Sequence, residues 1–177
     1  MNQVIKSYAV PEYSKVSEYL PHIHYCDCYQ VVTKTDLSVD QLTTEIFQTP
    51  HWADVLLNIR NALVKLVELQ AGGNKLETHI AAYYPPGTKA VYFTVTDRTE
   101  QEIIMAEKDT HLDFWVSVMI CREDDQTVVS LITLVKYNNL LGRIYYFFVK
   151  PFHRIICSSL MKRLLKSSPQ YHILGQQ

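Results

Sequence analysis

The C-terminal third of the chain constrains the fold most, because it combines a long amphipathic helical pattern with charges of one sign. Apolar residues recur there at steps of three and four, as Leu141, Tyr145, Phe148, Phe152, Ile156, Leu160 and Leu164. Pro151 lies inside this pattern, where the loss of a backbone donor predicts a kink. A helix of this length needs a large surface beneath its apolar stripe, and the strand-like middle of the chain indicates a sheet.

The charges of this segment allow two interpretations. No Asp or Glu follows Asp125, whereas the basic residues of the segment are Lys136, Arg143, Lys150, Arg154, Lys162, Arg163 and Lys166. They form either a solvated face of the helix or a surface for an anionic lipid or an acidic partner. The net charge of the whole chain is -1, which argues against nucleic acid as the main partner.

Length and composition predict one domain over residues 1–177, with 1–22 as an extended lead-in and 167–177 as a tail. Hydrophobic residues make up 47% of the chain, but no window is apolar enough for a membrane span, so we expect no integral membrane association. Four cysteines and a start without a signal-peptide pattern predict reduced thiols and a cytoplasmic protein. The oligomeric state is not predictable from these features.

The order of the predicted elements indicates an α+β fold. Residues 24–34 read as a first strand, and two shorter helices follow it, at 39–48 with a Ser38–Gln41 capping box and from Pro50 onward. Strand patterns follow at 90–96, 102–108, 110–121 and 127–137, joined by short polar links that suit antiparallel hairpins. Residues 138–139 can cap a final helix over 140–166. We therefore expect a curved antiparallel sheet, crossed by the C-terminal helix, that encloses a cavity.

Several short motifs resemble a known family. They are Pro-His-Trp at 50–52, Ile-Arg-Asn at 59–61, His-Leu-Asp-Phe at 111–114, Leu-Gly-Arg-Ile-Tyr at 141–145 and Lys-Pro-Phe-His-Arg at 150–154. With the order of elements, they resemble the START-like, or helix-grip, superfamily (SRPBCC, polyketide-cyclase-like). Within it, residues 25–165 resemble an uncharacterised, largely bacterial family described only as a domain of unknown function.

This resemblance implies the helix-grip fold and a cavity, and it carries no established catalytic residues. Some relatives are fused to a short-chain-dehydrogenase-like domain, which implies, by analogy, a separate oxidoreductase partner for this chain. The chain itself has no Gly-rich dinucleotide fingerprint, and we predict that it uses no cofactor.

Three residues are weak candidates for acid–base catalysis. His111 and Asp113 share one side of a predicted strand and would form an acid–base pair if the sheet is covered on both faces. Asp27 lies between Tyr25 and Tyr29, and Arg60 is the partner that we predict for it, in a pair that is either structural or orients a polar ligand group.

Six residues are candidates for ligand contact, namely Trp52, Arg60, Tyr145, Phe148, Phe152 and His153. The aromatic residues suit a cavity lining, although core packing uses the same residue types. His153 follows Pro151, so it either satisfies a carbonyl group freed by the proline, packs at the cavity mouth or acts as a general base.

Four residues at every second position could instead be ligands of a metal ion, namely His22, His24, Cys26 and Cys28. Zinc favours these ligand types, but neighbours two apart on a strand are badly placed to converge on one tetrahedral ion. We predict that the chain binds no metal there.

The leading hypothesis is therefore a non-catalytic protein that binds a small apolar or amphipathic molecule between the sheet and the C-terminal helix. The first alternative is an enzyme of cyclase, dehydratase or hydrolase type that uses His111, Asp113 or Asp27 as acid and base. The second is an interaction module that docks on a protein or an anionic membrane through its basic helix.

Overall fold

The computed structural model describes residues 4–48 and 79–167. The second predicted helix, which carries Trp52 and Arg60, and the tail beyond 167 lie outside the described residues. The described elements are β1 (Ile5–Ser7), a 3-10 helix η1 (Lys15–His22), β2 (Tyr25–Thr33), α1 (Val39–Phe47), β3 (Lys89–Ala90), β4 (Phe93–Arg98), β5 (Glu102–Lys108), β6 (Leu112–Glu123), β7 (Gln126–Tyr137) and α2 (Leu140–Ser167).

The strands form one seven-stranded sheet in the order β1-β2-β7-β6-β5-β4-β3, and each pairing is antiparallel. Helix α2 packs against β2 and β7, the second and third strands of the sheet. This confirms the predicted helix-grip architecture. The long β6–β7 hairpin turns through two residues, Asp124 and Asp125, and Asp124 has a positive φ of 50°, a conformation that Asp tolerates better than most residues.

Strand alternation divides the sheet into an inner and an outer face. The inner face, which carries Val116, Val118 and Ile120, shares a core with buried residues of α1 and α2 such as Leu42 and Leu160. The outer face, which carries Ile104, Trp115 and Ile132, is covered by Val16 and Tyr19 of η1. The prediction of an extended lead-in is therefore wrong at residues 15–22, where a 3-10 helix places Val16 and Tyr19 on the outer face.

Buried hydrogen bonds attach the N-terminal segment to the outer face. The Glu102 carboxylate is 3% exposed and accepts hydrogen bonds from the Ser14 hydroxyl at 2.6 Å, the Ser117 hydroxyl at 2.5 Å and the Lys15 backbone N–H at 2.7 Å. A charged acceptor with several donors is the usual way to bury a carboxylate without a large desolvation cost.

Helix α1 is held by its cap and by two arginines. The Ser38–Gln41 capping box is present, as the sequence predicts. Asp40 in the first turn forms a two-point ion pair with Arg98, with N–O distances of 2.9 and 3.1 Å. At the other end of α1, the guanidinium group of Arg163 donates to the Glu45 and Ile46 carbonyl oxygens, so one basic residue of α2 has a structural role.

Helix α2 begins where the sequence predicts and runs without interruption through Pro151. The Asn139 side chain caps it by accepting a hydrogen bond from the Gly142 N–H at 3.0 Å. Gly142 is essential to the approach of the helix, because a Cβ atom there would lie 1.9 Å from the His111 carbonyl oxygen. Within the described residues, no helix is both long enough and apolar enough to cross a membrane.

The side of α2 that faces the sheet differs in part from the predicted stripe. Ile156, Leu160 and Leu164 are buried, as expected, but Phe148 is 46% and Phe152 is 44% exposed. These two phenylalanines, predicted to face the sheet as a cavity lining or as core, lie instead on the outward side of the helix. The helix has apolar residues on two opposite sides, and the close contact at Gly142 turns the side with Tyr146 and His153 toward the sheet.

Candidate functional site

The site is built around Asp27, which β2 places on the inner face beneath α2. Its side chain is fully buried. The Tyr25 hydroxyl, two residues earlier on the same face, donates to Asp27 Oδ2 at 2.7 Å. Nε2 of His153, from α2, lies 3.3 Å from Asp27 Oδ1. One strand and the long helix thus bring a carboxylate and an imidazole together in the interior.

The two groups stabilise each other's charged forms. Burial alone would raise the pKa of Asp27, but the hydrogen bond and positive charge of His153, together with the Tyr25 hydroxyl, outweigh it and hold that pKa below its usual range. Burial alone would lower the pKa of His153, but the Cys157 sulfur and the Asp27 carboxylate outweigh it and raise that pKa well above its usual range. The pair is therefore an ion pair at neutral pH.

Cys157 lies one helical turn after His153, and its geometry argues against a nucleophilic role. The sulfur is 3.5 Å from Nε2 and 3.7 Å from Nδ1 of His153, so it is nearly equidistant from both ring nitrogens. In a Cys–His–Asp triad the two ring nitrogens point to different partners, whereas here Nε2 already faces Asp27. Cys157 is also only 6% exposed. The sulfur is better described as a packed neighbour of the imidazole.

Tyr146 contributes a buried hydroxyl with no hydrogen-bond partner among the described residues. Its side chain is 4% exposed, and its ring lies 5.0 Å from that of Tyr25 and 5.7 Å from that of Tyr137, measured between centroids. Burial raises the pKa of Tyr146, and the nearby Tyr25 and Asp27 raise it further. The phenol is therefore a neutral donor that has an unmet hydrogen-bonding requirement beside the ion pair.

Basic side chains border the site toward β1. The ammonium group of Lys150 lies 4.7 Å from the centre of the Tyr25 ring, and Arg154 Nε donates to the Tyr25 hydroxyl at 3.4 Å. The Arg154 guanidinium also reaches the exposed Tyr8. Lys150 and Arg154 thus both contact Tyr25, whose hydroxyl donates to the buried carboxylate.

A cleft of about 550 Å³ opens next to the site, at the N-terminal end of α2, and is lined by His24, Tyr137, Asn138, Asn139, Leu140 and Arg143. The His24 ring stacks on Tyr137 at 4.9 Å, and its Nδ1 accepts a hydrogen bond from the Tyr137 N–H at 3.0 Å. Tyr137 also packs against Tyr146, so one ring both lines the cleft and contacts the Tyr146 ring.

Comparison with known proteins places these residues within one family. Residues 19–160 match a family described as "Protein of unknown function (DUF2867)". The chain belongs to this family. The matched DUF2867 region contains all the residues of the site from Tyr25 to Cys157. None of the curated proteins compared matches the chain.

Three solved structures show a distant likeness. The chain is similar to CalU16 from Micromonospora echinospora, at 7% identity over 96% of this chain and 87% of that protein, with a TM-score of 0.37. The chain is 10% identical to Ara h 8.0201 over 80% of this chain and 99% of that protein, with a TM-score of 0.34. It is 11% identical to norcoclaurine synthase from Thalictrum flavum over 90% of this chain and 96% of that protein, with a TM-score of 0.33. Such values are too low to transfer a ligand or a reaction to this DUF2867 chain.

The structure brings together two of the predicted site residues, Asp27 and His153. The other acid–base candidates lie elsewhere and have separate partners. His111 Nδ1 is 3.4 Å from an Asp109 carboxylate oxygen, and the His111 ring packs edge-on against Tyr145. Asp113 lies on the outer face, where it accepts a hydrogen bond from Asn138 at 3.0 Å. His111, Asp113 and Asp27 therefore do not converge on one site.

The remaining predicted residues lie at the surface, on the outer face of the sheet or in the undescribed part of the chain. Phe148 and Phe152 lie on the outward side of α2. Trp52 and Arg60, including the predicted Arg60–Asp27 pair, are outside the described residues. Of the four metal candidates, His24 is engaged with Tyr137, while Cys26 and Cys28 point to the outer face. No group of three potential ligands in residues 4–48 and 79–167 is arranged to hold a metal ion.

Tyr25, Tyr146 and Cys157 are members of the site that the sequence did not predict. A signal for them was present: Tyr146, His153 and Cys157 are spaced by seven and four, which places them on one side of a helix. This spacing is hard to recognise in the sequence because a more strongly apolar series, Tyr145, Phe152 and Ile156, lies one residue earlier in the same helix.

Proposed function

We propose that this DUF2867 chain binds a small amphipathic molecule in the cleft at the N-terminal end of α2, with a polar group of the ligand directed toward Tyr146. The observation that carries the proposal is the buried Tyr146 hydroxyl, which lies beside the Asp27–His153 ion pair and has no hydrogen-bond partner within residues 4–48 and 79–167. A buried unsatisfied hydroxyl costs about 1–3 kcal/mol, and a ligand acceptor would recover part of that cost.

The cleft has a size and a lining that suit such a ligand. Its volume of about 550 Å³ lies within the range usual for small-molecule sites. Tyr137 and Leu140 offer apolar surface, whereas Asn138, Asn139 and Arg143 are polar. This mixture favours an amphipathic molecule over a wholly apolar one, which refines the hypothesis drawn from the sequence.

The chemistry around Tyr146 also restricts the polar group of the ligand. The phenol can donate a hydrogen bond, so the group must be an acceptor. The neighbouring Asp27 carboxylate would repel a second carboxylate, and His153 offers a positive charge already balanced by Asp27. A neutral carbonyl or ether oxygen fits best. For the ligand group to reach the Tyr146 hydroxyl, the Tyr137 ring must turn aside, since it lines the cleft and packs against the Tyr146 ring.

The test compares Tyr146→Phe with wild type, using the neutral naphthyl ketone dye prodan as the probe. Removal of an unsatisfied hydroxyl should leave the free energy of unfolding unchanged or slightly higher, while the probe Kd rises at least fivefold. Tyr83→Phe, at an exposed tyrosine, is the matched control and should change neither quantity. An unchanged Kd in the Tyr146 variant would refute the assigned role of the hydroxyl.

Native mass spectrometry of freshly purified protein, followed by extraction, would identify a bound molecule. The same experiment tests the alternative that the protein is an acid–base enzyme. The ion pair makes His153 and Asp27, and not His111 and Asp113, the candidate acid and base. A protonated imidazole can act as a general acid toward a bound molecule. Conversion of the extracted molecule by wild type, but not by His153→Gln, would indicate an enzyme. An unchanged molecule would support a binding protein. The oxidoreductase partner implied by the family resemblance stays a prediction.

A further inference from the structure

Helix α2 has a second apolar side that faces away from the sheet. It comprises Leu140, Ile144, Phe147, Phe148, Phe152 and Ile155, which are between 44% and 74% exposed. We call this set the outer apolar face. Its members are spaced by four, three, one, four and three residues, so they form a stripe along four turns of the helix. Tyr146 and His153 project from the opposite side, toward the sheet.

An exposed stripe of this kind is uncommon on a folded domain. Single apolar residues are frequent on protein surfaces, but contiguous large ones mark a binding surface for a protein, a ligand or a membrane. Three of the six members are phenylalanines, and Phe147 is the most exposed of all at 74%. The rings of Phe147 and Phe148 touch each other, at 5.4 Å between centroids, and so form one continuous patch.

The charges around the outer apolar face are all positive along the helix. Arg143, Lys150 and Arg154 are spaced by seven and four, so they border the face along one side. Lys162 and Lys166 continue the line of the face beyond Ile155. No Asp or Glu occurs in α2. An apolar stripe flanked by basic residues and free of acids is typical of helices that lie in the interface of an anionic bilayer.

We propose that the outer apolar face of α2 docks on the surface of an anionic lipid bilayer, with the helix axis parallel to the membrane. Phe147, Phe148 and Ile155 enter the boundary between headgroups and acyl chains, and the basic border contacts lipid phosphates. The sheet stays behind the helix, because the side with Tyr146 and His153 remains packed on it. Docking therefore needs no unfolding and does not depend on the proposed ligand site.

Acidic residues near one end of the helix limit the docking surface. Asp109 and Asp113 lie beside the N-terminal end of α2, where the Asn138 side chain bonds to both residues, and they would be repelled by lipid phosphates. The C-terminal turns carry Lys162 and Lys166 without a neighbouring acid in α2. The docking surface therefore extends from the outer apolar face toward the C-terminal turns and ends at its N-terminal side beside these acids.

The experiment measures co-sedimentation of the intact chain with vesicles of phosphatidylcholine alone and of phosphatidylcholine mixed with phosphatidylserine, at low and high salt. Wild type should bind only the mixed vesicles, and salt should weaken the binding by screening. A Phe147→Ser, Ile155→Ser double variant should bind at least tenfold more weakly, with unchanged circular dichroism because both side chains are exposed. Lys162→Gln and Lys166→Gln should each weaken binding about fivefold.

A matched control replaces exposed apolar residues elsewhere on the surface, in a Tyr13→Ser, Ile80→Ser variant, which should bind like wild type. The absence of binding to mixed vesicles at low salt would overturn the proposal. Two further measurements identify other occupants of the face. A self-association seen in sedimentation velocity and lost in Phe147→Ser would assign the face to a second copy. Slow thiol labelling of Phe147→Cys in the monomer would show that the chain's own residues cover it. Either result would overturn the docking proposal.

Discussion

Replacement of Asp27 by Asn tests whether the buried ion pair stabilises the helix–sheet contact. Asn has nearly the same shape, and its amide oxygen can still accept the hydrogen bond from Tyr25, so the change removes mainly the charge. Asp27 is fully buried and its partner His153 retains only 17% side-chain exposure, so water can compensate little for the lost attraction. Breaking one partner of a buried ion pair costs roughly 3–5 kcal/mol, and we expect a loss in this range for Asp27→Asn.

The assay is urea denaturation followed by circular dichroism, for wild type, Asp27→Asn, His153→Gln and the double variant. The double variant should lose less free energy of unfolding than the sum of the two single losses, since each single change leaves the other group unpaired. Asp125→Asn is the matched control. Its carboxylate is 91% exposed and lies 3.9 Å from the Lys34 ammonium, so the expected loss is below about 1 kcal/mol. A coupling energy between Asp27 and His153 below about 0.5 kcal/mol would refute the reasoning.

The same pair predicts how stability depends on pH. The lowered pKa of Asp27 stabilises the fold above the usual carboxyl pKa, and this contribution is lost as pH falls through the folded-state value. The raised pKa of His153 stabilises the fold below the usual imidazole pKa, and this contribution is lost as pH rises through the folded-state value. The stability difference between wild type and the double variant should therefore be largest between about pH 4 and pH 6.5. A flat difference would contradict the assigned charges.

Two further substitutions probe the contacts that position the site. Gly142→Ala should destabilise the protein by at least about 2 kcal/mol, although Ala favours helices by about 1 kcal/mol, because the new Cβ would clash with the His111 carbonyl oxygen. Ser159→Ala, on the exposed side of the same helix, should stay within about 0.5 kcal/mol of wild type in urea denaturation. Glu102→Gln should cost about 1.5–3 kcal/mol, because three donors face a charged acceptor. Glu100→Gln, an exposed neighbour, should change the unfolding midpoint little, and an equal effect at both positions would argue against the buried network.

The comparison of sequence and structure shows where local patterns suffice. Ser38 and Gln41 predicted the start of α1, and Asn139 predicted the start of α2, because capping depends on residues three apart. The β5, β6 and β7 strands were predicted to within about two residues, since alternation of apolar residues is a local property. Local patterns also placed Asp27 and Tyr25 on one face of β2.

The partner of Asp27 was beyond the reach of such patterns. Arg60, 33 positions away, was the predicted partner, whereas His153, 126 positions away, was predicted only for other roles. Among the described residues, the packing of α2 on β2 places His153 beside Asp27. The N-terminal lead-in is a similar case. Its short 3-10 helix is stabilised because Val16 and Tyr19 pack on the outer face of the sheet. The local sequence does not predict this long-range contact.

By itself, the sequence determined the class of the fold, the antiparallel sheet and the length of the final helix, because these follow from periodicity and caps. Only the tertiary structure decided which side of that helix meets the sheet. Both sides are apolar, and the periodicity of 3.6 residues favours neither. The choice depends on the steric fit of Gly142 against His111 and on the pairing of His153 with Asp27. These long-range contacts bury the polar site and leave the phenylalanines on the surface.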